Sequence, residues 1–258
     1  MGLLDKILSK VGASETKKKV FRNLYWAVLG KVVTLLGGLF VGILVARYLG
    51  PEQYGLMNYV ISYVSLFQVF ASFGMDNIEI REESKFPAEK NKIIGTAFFL
   101  KVFFAILTIG FVCLTAFVFE ADDLTKKLIV LYSFSVIMSS FSVIRNYFTS
   151  IIWNEYIVKT EIVRTLFGAL LKILLLFFKA PLVWFVVAIL FDTILIAMGY
   201  LISYQKKIDS IFKWSFDKKI AVFLLKESFP LLLSGAAIVV YQKIDQIMIG
   251  NMIDKESV

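Results

Sequence analysis

The run LYWAVLGKVVTLLGGLFVGILVA, residues 24–46, decides the fold class. It contains one charge, Lys31, and its length falls in the range of roughly 17–25 residues that carries a helix across a bilayer. Lys17, Lys18, Lys19 and Arg22 stand directly before it. The run is too long for the apolar core of a cleaved signal peptide, so it reads as a retained first helix with its basic flank in the cytoplasm. Comparable runs follow at 56–78, 93–119, 127–151, 162–178, 182–204 and 224–250. Hydrocarbon offers no partner for an unpaired peptide group, so a chain that repeats such runs is helical in each. The predicted class is all-α: a polytopic membrane protein of about seven transmembrane helices.

Composition agrees. Over 258 residues, 59% are hydrophobic and 19% charged, and the mean hydropathy is +0.77. That is more apolar surface than a water-soluble domain can hide. With no His and one Cys, Cys113, an internal disulfide, a Cys/His metal centre and imidazole catalysis are excluded, and no cofactor is expected. The formal charge of +8 does not suggest nucleic acid, because the basic residues alternate with apolar runs instead of gathering on one soluble face.

That alternation sets the orientation. Segments 1–23, 79–92, 152–161 and 205–223 carry six, four, one and five Lys or Arg, and the opposite loops carry only Arg47, Lys126, Lys179 and Lys255. Short basic loops stay in the cytoplasm, so the N-terminus is predicted inside and the C-terminus outside. Residues 2–11 place Leu3, Leu4, Ile7, Leu8 and Val11 opposite Asp5, Lys6 and Lys10, which fits either a short interfacial helix or a disordered tail. Lys6 stands where a myristoylation signal needs Ser or Thr. Gly50-Pro51 is predicted to end the first helix, and Pro181 to start the sixth span. Pro230 falls inside the seventh and is expected to kink it. Tyr25, Trp26, Tyr48, Trp184, Tyr204 and Trp214 lie near span ends and read as interfacial anchors.

Ionisable residues inside spans are candidate site residues, since each cation near the bilayer centre costs about 2.5–3.5 kcal/mol on insertion scales. The cations are Lys31, Lys101, Arg145, Arg164, Lys172 and Lys243, against Asp192 and Asp245. Lys31, Gly38 and Gly42 fall within about 20° of one helical face, which the small residues turn toward protein. Arg164, Gly168 and Lys172 form a second stripe. Two readings stand for Lys31, Lys101, Arg145, Arg164 and Lys172: they snorkel to an interface, or they line an aqueous cavity whose positive potential favours an anion such as phosphate. Asp192 is a candidate partner for Lys172. Gln242, Lys243, Asp245 and Gln246 form a polar sector that suits a cavity better than lipid.

The segments NLYWAVLGK at 23–31, VARYLGPEQYG at 45–55, FGMDNIEIR at 73–81 and KIDQIMIG at 243–250 resemble the bacterial O-antigen and polysaccharide flippases. These belong to the multidrug/oligosaccharidyl-lipid/polysaccharide exporter superfamily. The motif positions are Arg47, Gly50, Pro51, Gly55, Gly74, Asp76 and Arg81. The resemblance implies a multi-pass protein of the bacterial cytoplasmic membrane that moves an undecaprenyl-pyrophosphate-linked oligosaccharide by alternating access between two six-helix lobes. It implies pyrophosphate contacts for Lys31, Arg164 and Lys172, and charge balance or ion relay for Asp192 and Asp245. Residues 1–23 would then be a cytoplasmic basic segment, 24–204 the first lobe, 205–223 a cytoplasmic linker and 224–258 the opening helix of a second lobe. A second lobe, or another copy of the chain, is the expected partner besides membrane lipid and the glycan. Two other functions fit less well: a cation-coupled exporter of small amphiphiles, and a non-transporting subunit of a glycan-assembly complex. No carboxylate pair or activated nucleophile points to an enzyme.

Overall fold

The computed structural model describes residues 15–120 and 122–252, so the amphipathic 2–11 segment lies outside the described residues. Among the described residues there is no strand, and nine helices follow one another: α1 (Glu15–Ser72), α2 (Asp76–Lys85), α3 (Lys90–Phe119), α4 (Asp123–Ser133), α5 (Ser135–Ser139), α6 (Ser142–Ser150), α7 (Asn154–Phe177), α8 (Leu182–Lys207) and α9 (Lys218–Met252). Five stretches are long and apolar enough to cross a membrane: Leu24–Lys85, Pro87–Phe119, Asp123–Ser150, Leu182–Lys207 and Lys218–Gln246. The first, of 62 residues, holds two of the predicted spans. Leu39, Phe40, Phe103, Phe117 and Phe177 stand 57–79% exposed, a surface that lipid solvates and water does not.

α1 breaks at Gly50, whose φ of 71° and ψ of 173° no β-carbon residue adopts without strain, and Pro51 starts the second leg with its φ preset. Val41, Val45 and Leu49 of the first leg share one buried cluster with Met57, Val60 and Val64 of the second. That cluster also takes Ala105 and Val112 from α3 and Phe185 and Val186 from α8. A second cluster, around Met75, Ile94, Ile144, Phe148, Tyr200 and Leu224, ties α2, α3, α6, α8 and α9 together.

The second predicted span ends early. Phe73 and Gly74 have φ of 49° and 68°, and the chain turns into α2, a polar helix where a cytoplasmic loop was predicted from residue 79. Ile78, Glu79, Glu82 and Glu83 of that helix are buried. Gly74 is required twice over: besides its φ, an added Cβ would lie 2.6 Å from Leu232 N of α9. We expect Gly74→Ala to destabilise by more than the roughly 1–2 kcal/mol that left-handed backbone alone costs. A lowered melting temperature and faster proteolysis between residues 208 and 217 would register the loosening of α9; an unchanged melting point would contradict it.

The fourth predicted span, 127–151, is three helices and not one. Ser133 and Ser139 donate back to Val130 O and Val136 O at 2.7 and 2.6 Å, and such competition from serine hydroxyls bends helices. α7 begins at Asn154, eight residues before the predicted span, and packs between α1 and α8. Its Glu161, Arg164 and Lys172 therefore meet protein as well as lipid. α9 runs as one helix with Pro230 inside it. Tyr204 is 0% exposed and accepts from Trp214 Nε1 at 3.2 Å, so it belongs to the core and is not an interfacial anchor.

The linker before α9 is pinned to α3: Asp217 N donates to Thr96 Oγ1 at 2.9 Å and Ser215 N to Asn91 O at 3.2 Å. Asp217 caps α9, its Oδ1 accepting from Lys219 N at 2.8 Å and Ile220 N at 3.1 Å. The amide of Ile220 leads the interactions that hold its carboxyl below the usual carboxylate value. The folded pKa is depressed, so the cap's contribution is whole above the unfolded value of about 3.9 and is lost as pH falls through the lower folded one. Asp217→Asn should therefore flatten the acid limb of a stability profile; a limb identical to the parent's would show that the cap adds nothing.

Candidate functional site: a cationic cavity and a buried ion cluster

A cavity of about 340 Å³ lies between the first leg of α1, α7 and α8. Small residues open it: Gly37, Gly38 and Gly42 on α1 face Gly168 on α7. Arg164 and Lys172 from α7 and Asp192 from α8 supply its charge. Lys172 Nζ lies 2.6 Å from Asp192 Oδ2. Gly168 makes room for this pair, because an added Cβ would fall on the Asp192 carboxylate. Thr34 Oγ1, Arg164 Nε and Asp192 Oδ1, all on lining residues, are buried without a hydrogen-bond partner among the described residues. Two cations and one carboxylate leave a formal excess of one positive charge. Polar atoms buried in that state are costly until something accepts from Arg164 and donates to Asp192.

Arg164, Lys172, Asp192, Gly38 and Gly42 are thus brought together. Lys31 is exposed on the same leg as Thr34 and is not part of the lining. Arg145 is exposed on α6. The polar sector of α9 divides: Lys243 Nζ lies 3.3 Å from Gln246 Oε1 and 3.5 Å from Ser62 Oγ of α1, and Ser62 also donates to Gln246, while Gln242 and Asp245 are exposed.

Lys101 neither snorkels nor lines the cavity. It is 1% exposed, with Nζ at 2.6 Å from Asp76 Oδ1 and 2.8 Å from Glu79 Oε1, and it donates to Ser142 Oγ at 3.1 Å. Asn146 Nδ2 donates to the same carboxylates, at 2.9 Å to Asp76 and 2.6 Å to Glu79. Three helices meet at this cluster: α2 and α6 bring their polar groups to the ammonium carried by α3. Glu79, Ser142 and Asn146 escaped the sequence reading because residue 79 was assigned to a loop. The signal was present in the spacing Asp76-x-x-Glu79-x-x-x-Glu83, which puts three carboxyls on one helical face.

Most of the motif residues sit where the chain turns or helices meet. Gly50 and Pro51 make the break in α1, Gly55 is buried just after it, and Arg47 is exposed just before it. Gly74 seats α9, and Asp76 holds Lys101. Arg81 Nε lies 2.9 Å from Glu82 Oε1, and its Nη2 lies 3.2 Å from Glu227 Oε2 on α9.

Against known folds the chain is similar to an inward-facing multidrug resistance MATE family transporter of the MOP superfamily, with a TM-score of 0.52 at 16% identity over 86% of this chain and 55% of that one. It is also similar to a MOP superfamily transporter from Pyrococcus furiosus, with a TM-score of 0.55 at 14% identity over 94% of this chain and 63% of that one. The chain therefore has the helical fold of these transporters and spans between half and two thirds of their length. No curated protein sequence matches it. The sequence profile of the polysaccharide biosynthesis protein family matches residues 20–258. With that match covering nearly its whole length, the chain belongs to the polysaccharide biosynthesis protein family and is a multi-pass membrane protein of the MOP transporter fold.

Proposed function

We propose that the chain forms the anion-handling lobe of a flippase that moves a lipid-pyrophosphate-linked oligosaccharide across a bacterial cytoplasmic membrane. The observation that carries this reading is the excess positive charge of Arg164 and Lys172 over Asp192 in a cavity between helices. Such a cavity draws phosphate oxygens, and guanidinium and ammonium groups bind them with charge-assisted hydrogen bonds. At about 340 Å³ the cavity takes a diphosphate or a sugar ring and leaves the prenyl chain to lipid. Membership of the polysaccharide biosynthesis protein family supports a glycan as the cargo. A second lobe, or a second copy, would complete the pathway.

Depleting the protein in its own host should leave lipid-linked oligosaccharide in the cytoplasmic leaflet, where an impermeant lectin reaches it only after permeabilisation. Unaltered surface glycan on depletion would reject the reading. The orientation has its own test. With Cys113 replaced by Ser, Glu52→Cys and Asp123→Cys should react with an impermeant thiol reagent in intact cells. Glu89→Cys and Lys213→Cys should react only after permeabilisation, and all four positions are exposed. Equal labelling of the four would overturn the inside placement of the N-terminus.

A further inference from the structure

The junction of α2, α3 and α6 holds more carboxyl groups than its one buried cation can neutralise. Lys101 is matched by Glu79, 0% exposed, and by Asp76, whose side chain is 45% exposed. Glu83, one turn further along α2, is 1% exposed, and neither of its oxygens is within hydrogen-bonding geometry of a partner among the described residues. The groups that face it are Glu79 on α2, Lys101 on α3, Tyr147 and Ser150 on α6, and Tyr204 on α8. Lys101 is already engaged by Asp76, Glu79 and Ser142, and the Ser150 hydroxyl donates to Tyr147 O at 2.8 Å. Arg81 is taken by Glu82 and Glu227, and Arg145 is exposed and acts on Asp76. An ionised carboxylate left in this setting, beside Glu79 and with only the Ser150 hydroxyl near enough to donate, is disfavoured against its neutral form.

We propose that Glu83 is a proton-binding site: its carboxyl holds a proton while α2 is docked on α6, and loss of that proton to water undocks α2. In the release step the carboxyl O–H bond breaks, its electron pair stays on Glu83, and a water molecule accepts the proton. The carboxylate then stands next to Glu79 and gains hydration only when the helices part. Displacement of α2 reaches α9, because Arg81 bonds Glu227 and Gly74 seats the backbone at Leu232. The site lies apart from the Lys172 cavity, and the proposal stands or falls separately from the glycan assignment.

Infrared spectra of the chain in lipid nanodiscs provide the test. At neutral pH the parent should show the carbonyl-stretch band of a protonated carboxyl that Glu83→Gln lacks and Glu82→Gln keeps. On raising the pH the band should disappear. At the same pH a cysteine placed by Ile78→Cys, in a Cys113→Ala background, should become reactive in the parent but not alongside Glu83→Gln. The proposal is overturned by a parent without that band at neutral pH, by a band that survives Glu83→Gln, or by equal Ile78→Cys reactivity in the two backgrounds. Because Gln mimics the neutral carboxyl, failure of Glu83→Gln to accumulate in the membrane also overturns it.

Discussion

Lys172→Ala, introduced at the chromosomal locus, should abolish export of surface glycan if the proposed function holds, and Lys172→Arg should retain more than Lys172→Gln. A charge-assisted hydrogen bond is worth about 1.5–3 kcal/mol, or about ten- to a hundredfold in occupancy of an anion site. The substitution has a second effect, because Lys172 is also the ion partner of Asp192 at 2.6 Å. Removing it strands a buried carboxylate and lowers stability whatever the cavity binds. Lys172→Gln combined with Asp192→Asn separates the two. The double variant should return to parental abundance, since no carboxylate is left stranded, yet still fail to export because Arg164 alone remains to hold the anion. Arg164→Ala should weaken export less, because Lys172 remains. Full export from Lys172→Gln, or recovery of export in the double variant, would make the pair structural and remove the anion from this cavity.

The sequence made the helical membrane class legible because apolar runs and basic loops are consequences of the bilayer that local composition records. It also made Gly50-Pro51 legible as a break, since both residues have backbone needs of their own. Ion pairing was less legible. Arg164, Gly168 and Lys172 read as one stripe from their spacing within a single helix, with Asp192 a candidate partner for Lys172. Glu79 carries no such signal toward Lys101, because the charged stretch from residue 79 reads as a loop and pairing across helices leaves no local trace. The same reasoning explains the excess of six in-span cations over two in-span carboxylates. α2 carries carboxyls back against α3, so Lys101 meets Asp76 and Glu79. The bends at Phe134 and Ser140 were hidden for another reason: serines interrupt an apolar run without interrupting its hydropathy.

Lys101→Met should be the most destabilising single substitution in the lobe. Methionine keeps the length of the side chain and removes only the charge, so the result reports electrostatics and not a cavity. It leaves Glu79, which is 0% exposed, beside Asp76 with Asn146 as the remaining donor. Stranding one member of a buried pair costs about 3–5 kcal/mol, a large share of the roughly 5–15 kcal/mol that holds a domain folded. The variant should accumulate poorly in the membrane and melt well below the parent in mild detergent. Adding Glu79→Gln to Lys101→Met removes the stranded charge and leaves the Asn146 amide to bond a neutral amide. Replacing both members of a buried pair by neutral groups is often harmless, so the double variant should recover most of the loss. The coupling between the two substitutions should therefore reach several kcal/mol in the direction of rescue. A Lys101→Met protein that melts with the parent, or a double variant no more stable than the single, would show that Lys101 and Glu79 do not depend on each other.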